Sequence, residues 1–108
     1  IEQVFVDLFI NAIEAMPNGG IIKVSTKNGK DDIIITVEDT GCGIPEDVLP
    51  RIFEPFFTTK DTKKSTGLGL CVVYTIIEDH GGKIEVSSKV NEGTKFVITL
   101  PRLSKRLN

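Results

Sequence analysis

The stretch Ile33-Ile34-Ile35-Thr36-Val37-Glu38-Asp39-Thr40-Gly41-Cys42-Gly43-Ile44-Pro45 runs from a β-branched strand into an acid and two glycines. Ile33 to Glu38 has the composition of a strand, and Asp39 stands where that strand ends. A turn needs one glycine; two glycines flanking a single residue imply that something lies close against the backbone. The group is not a dinucleotide fingerprint, because that pattern needs glycine where this chain has Glu46. No GxxxxGK[ST] phosphate loop occurs anywhere.

Toward the N-terminus, Asn28-Gly29 is a hairpin signal joining this strand to Ile21–Thr26, which alternates with Ile22, Val24 and Thr26 on one face. Before it, Ile1 to Met16 reads as an amphipathic helix with Val4, Leu8, Ala12 and Ala15 in one stripe, thickened by Phe5 and Phe9. Pro17-Asn18-Gly19-Gly20 stops that helix. Toward the C-terminus, Pro45-Glu46-Asp47 predicts a short helix ending near Phe53, and the polar run Thr58 to Thr66 predicts a loop. Leu68 to Asp79 reads as a second long amphipathic helix with Leu70, Val73, Ile76 and Ile77 inward, capped by Gly81-Gly82. Two further strands, Lys83–Ser88 and Thr94–Leu100, flank the turn Val90-Asn91-Glu92-Gly93, and Pro101 ends the last of them. Residues 1–101 thus form one domain, and Arg102 to Asn108 is a polar tail. The order α-β-β-α-α-β-β predicts a two-layer α/β sandwich, with helices covering one face of a mixed sheet.

The 108 residues are 40% hydrophobic and 26% charged with a net charge of −2, as expected of one globular domain. No basic excess points to nucleic acid. The longest apolar runs fall far short of the roughly 20 residues that span a bilayer, and there is no signal peptide. The chain opens without Met in a helical pattern, so it is expected to be a fragment of a longer protein: a cytoplasmic domain whose parent is either cytoplasmic or membrane-anchored. Cys42 and Cys71 form no CxxC pair, and one histidine leaves no case for structural zinc.

Three places carry chemistry. Asn11 interrupts an apolar helix with a poor helix former; Asp7 lies four residues before it and Glu14 three after. A carboxylate and an amide on one helix face suit oxygen coordination of Mg²⁺, although a helical Asn can equally be a plain surface residue. Asp39-Thr40-Gly41-Cys42-Gly43 is the second. Thr66-Gly67-Leu68-Gly69-Leu70 is the third: its glycines let N–H groups at a helix start approach an anion. Lys60, Lys63 and Lys64 precede it and suit a triphosphate, or form a solvated basic loop.

Taken together and in order, these segments resemble the histidine-kinase branch of the GHKL ATP-binding superfamily. Gln3 to Pro17 resembles the N box, Glu38 to Pro45 the G1 box and Arg51 to Lys60 the F box, while Thr66 to Leu70 resembles the G2 box and Glu92-Gly93-Thr94 the last glycine turn. The F box and Asn11-Ala12-Ile13-Glu14-Ala15 look most like nitrogen-regulation-type sensor kinases. The resemblance implies the Bergerat fold, with a further strand and helix ahead of the first helix. It implies ATP and Mg²⁺ as cofactors. Asp39 would accept from the adenine amine, Gly43 would let the backbone lie close to the ring, Gly41 and Ile44 would belong to the same ATP-binding segment, and Thr94 would help through a water. Asn11 would hold Mg²⁺, assisted by Asp7 through water. Thr66, Gly67, Leu68, Gly69 and Leu70 would receive the phosphates, and Lys60 would reach the terminal ones. Phe53, Phe56 and Phe57 would pack rather than contact the nucleotide.

One departure is Asp7, where histidine kinases commonly have Asn and DNA gyrase and the anti-sigma-factor kinases have Glu. It keeps open an alternative as a serine kinase or an ATPase with Asp7 as general base. A degenerate, non-enzymatic docking module is a third reading, against which Asn11, Asp39, Gly67 and Gly69 stand. His80 reads as a helix-end residue, so the phosphoacceptor histidine is expected on a separate dimerisation domain of the same protein, with a response regulator downstream and the isolated domain monomeric.

Overall fold

The computed structural model describes residues 2–54 and 69–101. Within these, α1 spans Glu2–Glu14, β1 Ile22–Asn28, β2 Asp32–Asp39, α2 Gly69–Asp79, β3 Lys83–Lys89 and β4 Gly93–Pro101. The strands form one sheet in the order β1-β2-β4-β3. The two-layer sandwich is present, with α1 and α2 packed side by side on one sheet face.

The sheet differs from the mixed one expected, since every pairing among the described residues is antiparallel. β2 and β3 do run in the same direction, but β4 lies between them, so no parallel contact forms. The alternation of each strand decides its face. Ile35 and Val37 of β2, Phe96 and Ile98 of β4 and Ile84 of β3 are buried against Val4, Leu8 and Ala12 of α1 and Val73 and Ile77 of α2. Leu70 and Ile76 pack on the edge of this core, as their helical spacing indicated.

β1 also departs from its sequence pattern. Its alternation is real, but only Ile22 is half-buried, and Val24 is exposed. β1 is the edge strand beyond β2, and the helices cover the centre of the sheet, so its apolar face stays open.

The short helix expected from Pro45 reduces to a single 3₁₀ turn at Leu49–Arg51. Pro50 falls where that helix needs a donor; it has no N–H, and its ring obstructs the preceding turn. Bonds three residues apart replace the helix, from Val48 N–H to the Pro45 carbonyl (2.9 Å) and from Arg51 N–H to the Val48 carbonyl (2.9 Å). The turn still delivers Ile52 to the core, and Phe53 stacks between Tyr74 (5.3 Å between ring centres) and Phe96 (6.5 Å). Phe53 is therefore a packing residue, as expected; Phe56, Phe57 and the Thr58–Thr66 loop lie outside the described residues.

α2 ends as its two glycines indicate. Gly81 takes φ +73°; its N–H donates to the Glu78 carbonyl (2.9 Å) and that of Gly82 to the Ile77 carbonyl (2.9 Å). This left-handed stop satisfies carbonyls that the last helical turn leaves open. No helix among the described residues is long and apolar enough to cross a membrane.

Ile98 is 0% exposed at the centre of the sheet, whereas Ile13 on the outer side of α1 is 60% exposed. Ile98→Ala is expected to lower the unfolding free energy by about 2–5 kcal/mol, and Ile13→Ala to change it by less than about 0.5 kcal/mol, both measured by urea denaturation. Equal losses would place the core elsewhere.

Candidate functional site

The inner face of the sheet is built in cross-strand rows. Ile35, Ile98 and Ile84 are in register, as are Val37, Phe96 and Val86. The next row is polar: Asp39 opposite Thr94, and Thr94 opposite Ser88. Strand alternation thus carries Asp39 and Thr94 onto the face that holds the core, and both are buried, at 8% and 5% exposure.

A buried polar group needs a partner. One Asp39 oxygen, Oδ1, accepts from the Gly41 N–H at 2.8 Å; the other has no hydrogen-bond partner among the described residues. Ser88 Oγ lies 2.9 Å from Thr94 Oγ1. It also accepts from the Ile44 N–H (2.8 Å) and donates to the Gly93 carbonyl (2.8 Å).

The glycine turn after β2 is held from both sides. The Cys42 N–H donates to the Ala15 carbonyl at the end of α1 (3.0 Å), and the Cys42 carbonyl accepts from the Asn91 N–H in the β3–β4 turn (2.8 Å). The close neighbours implied by the two glycines are the protein's own backbone. A Cβ on Gly41 would sit 2.7 Å from the Ala15 carbonyl, and one on Gly43 would collide with the Lys89 carbonyl; Gly43 also has φ +76°. A Cβ on Gly93 would strike the Asp39 carbonyl. Because the N–H groups of Gly41, Cys42 and Ile44 all donate within the protein, this turn is no anion cradle. It is a wall that fixes Asp39.

α1 brings the second group of candidates. Asp7 and Asn11 are half-buried, and Glu14 is exposed. Ala15, which meets Gly41, continues the line of Asp7 and Asn11 along the helix. At 1.5 Å per residue, Asn11 lies about 6 Å and Asp7 about 12 Å along the axis from that contact. Asp7 Oδ1 accepts from Gln3 Nε2 at 2.9 Å. The structure therefore places the amide and the carboxylate on one track leading away from Asp39.

α2 begins at Gly69, where an added Cβ would meet nothing within 4 Å. The Leu70 side chain packs on the core. Thr66, Gly67, Leu68 and Lys60 lie outside the described residues. An open depression of about 410 Å³ lies at this end of the sheet, and Asp39, Ser88 and Thr94 are among its lining residues. Its walls include Glu38 and Lys95, which belong to the opposite face, and it does not reach Asn11.

Ser88 was not singled out in the sequence. Its signal was the alternation Ile84, Val86, Ser88, which puts a hydroxyl where an apolar side chain would continue the row. His80, the single histidine of the chain, is a helix-end residue as expected: its Nδ1–H donates to the Ile76 carbonyl at 2.8 Å. The adjacent Gly82 lies against Thr99, five residues and about 17 Å along β4 from Thr94. His80 thus belongs to the opposite end of the sheet from Asp39.

Comparison with known proteins places this arrangement. The family model described as histidine kinase-, DNA gyrase B- and HSP90-like ATPase matches residues 1–104. The sensor kinase CckA of Brucella abortus is 50% identical over 94% of this chain, which spans 12% of that protein. Sporulation kinase A of Bacillus subtilis is 48% identical over 94% of the chain, which spans 16% of it. The solved catalytic domain of histidine kinase ThkA, in a nucleotide-free form, superposes with a TM-score of 0.80 at 42% identity, covering 93% of this chain and 64% of that one. The mycobacterial sensor histidine kinase MprB gives the same TM-score at 28% identity, covering 92% of this chain and 68% of that one. The chain belongs to the histidine kinase-, DNA gyrase B- and HSP90-like ATPase family.

Proposed function

We propose that this chain binds ATP with Mg²⁺ and supplies the γ-phosphoryl group for phosphorylating a histidine on a separate dimerisation domain of the same protein, which then serves a response regulator. The observation that carries the reading is Asp39, a buried carboxylate with one oxygen tied to Gly41 and the other without a partner among the described residues. An N–H donor from a ligand completes it. The 6-amino group of adenine is such a donor; the 6-keto oxygen of guanine is repelled. A site that reads one hydrogen bond in this way can discriminate by about 10⁴-fold.

The remaining residues follow from that anchor. Gly41, Gly43 and Ile44 form the wall beside the ring, and Thr94 stands next to Asp39 in the same row. Asn11 and Asp7 offer an amide and a carboxylate oxygen farther along α1. Among the described residues there is no group of three or more acidic, histidine or cysteine side chains that could enclose a cation. Such a donor set suits Mg²⁺, which keeps most of its water and takes one or two protein ligands beside phosphate oxygens. Asn11 would hold the ion and Asp7 would assist through water; when bound, the ion neutralises charge on the phosphates. Gly69, where an added Cβ would meet no described atom within 4 Å, stands with Leu70 at the start of the described helix and suits an approaching phosphate. Thr66, Gly67, Leu68, Gly69 and Leu70 would hold the phosphate chain, with Lys60 at its terminal end. The distant His80 is engaged with its own helix, which agrees with an acceptor on another domain. The F-box residues Ile52 to Glu54 support the nitrogen-regulation subclass only through their sequence likeness.

A second reading, a serine kinase or ATPase, rests on the carboxylate at Asp7. A base must take a proton within hydrogen-bond reach of the nucleophile; Asp7 accepts from Gln3 through Oδ1, which leaves Oδ2 for that role.

Asp39→Asn keeps the size of the side chain and an acceptor for Gly41. It is expected to weaken ATP binding by about 10–100-fold, the loss of one hydrogen bond to a charged group, as read by calorimetry; unchanged affinity would end the adenine reading. Asn11→Ala should make ATP affinity the same in Mg²⁺ as in EDTA, and a retained Mg²⁺ dependence would remove Asn11 from the metal site. Asp7→Asn should leave slow ATP hydrolysis by the chain unchanged, whereas its abolition would establish Asp7 as the base. In the parent protein incubated with γ-labelled ATP, the label should be acid-labile and alkali-stable; acid-stable label would identify a serine kinase.

A further inference from the structure

The hydroxyl of Ser88 has one proton and two lone pairs, and its three contacts use all of them. The Gly93 carbonyl at 2.8 Å can only accept, so it takes the Ser88 proton. The Ile44 N–H at 2.8 Å can only donate, so it takes one lone pair. The contact of 2.9 Å to Thr94 Oγ1 is left with a single polarity: Thr94 donates and Ser88 accepts.

Thr94 therefore has no proton to offer in any other direction. Thr94 is buried, at 5% exposure, and is in register with Asp39. Across the strand pair from it is Asp39, one of whose oxygens has no partner among the described residues. The end of the polar row thus presents acceptors only, a carboxylate oxygen and two hydroxyl lone pairs. A primary amine with two N–H bonds satisfies such a pair, as does a water that donates to both. A keto oxygen satisfies neither.

We propose that Ser88 is a positioning residue that locks the Thr94 hydroxyl as an acceptor, and that this lock, together with Asp39, sets the preference for a 6-amino over a 6-keto purine. The inference rests on the nucleotide-binding reading of this site. Ser88 does not touch the base; it acts through the direction of one proton.

The test is the ratio of ATP to ITP affinity, measured on the whole chain, because ITP exchanges the 6-amino group for a keto oxygen, and the N1 lone pair for an N1–H, without an added 2-amino group; the N1 change is common to every variant compared. A ratio is unaffected by a smaller folded fraction. Ser88→Ala frees Thr94 to turn and donate to a keto oxygen, and the ratio should fall by about tenfold, the size of one hydrogen bond changing sign. Ser88→Thr retains a hydroxyl and should restore it. In a Thr94→Val background, Ser88→Ala should leave the ratio where Thr94→Val alone puts it. ATP binding with a ratio that Ser88→Ala does not move, or a shift that persists without the Thr94 hydroxyl, overturns the inference while nucleotide binding stands. Failure of the unmodified chain to bind ATP overturns the nucleotide reading and this inference with it.

Discussion

β4 pairs with β2 along one edge and with β3 along the other, and the register of both pairings sets everything around it. Phe96 and Ile98 point into the core only because Thr94 is opposite Asp39 and Ser88. A slip of one residue would send the whole alternating set to the other face, exposing the core and taking Thr94 out of the polar row. Core and site therefore share one constraint, and the apolar rows fix the position of the polar one.

The Asp39 end of the site is held in place for a related reason. The turn after β2 is anchored to α1 at Ala15, to β3 at Ser88 and to the β3–β4 turn at Asn91. Glycine at 41 and 43 admits this three-way closure by removing side chains where backbone meets backbone. Preorganisation of this kind lowers the ordering cost of binding. It also holds in place a buried carboxylate, one oxygen of which has no hydrogen-bond partner among the described residues.

Most of the architecture was legible in the sequence because helical and strand periods, hairpin glycines and helix stops are local signals. Val73 and Ile77 on α2, the stop at Gly81 and the turn from Val90 to Gly93 were found where their patterns put them. What escaped was non-local. That β4 separates β2 from β3 cannot be read from any one strand, so a mixed sheet was expected. The solvent-open face of β1 depends on how far the helices reach, and the loss of the Pro45 helix on a second proline five residues in. At the site, Asp39, Asn11 and the glycines stand out by residue type. Ser88 does not, since a serine at a strand end is ordinary until its three partners, 5, 6 and 44 residues away, are brought to it.

The position of β4 in the chain also bears on how the protein is made. β4, one of the two inner strands of the sheet, is the last of the described elements in sequence, and the β2–β4 ladder joins Asp32 to Pro101. A ribosome that has released everything through β3 has produced a hairpin and an unpaired strand, with the middle of the sheet still in the exit tunnel. Pairings this distant in sequence close late and slowly, and exposed edges in the interval invite association with chaperones or other chains. Asp39, Thr94 and Ser88 come together only when that segment inserts, so a chain cut before Thr94 has no weakened version of the row; it has none.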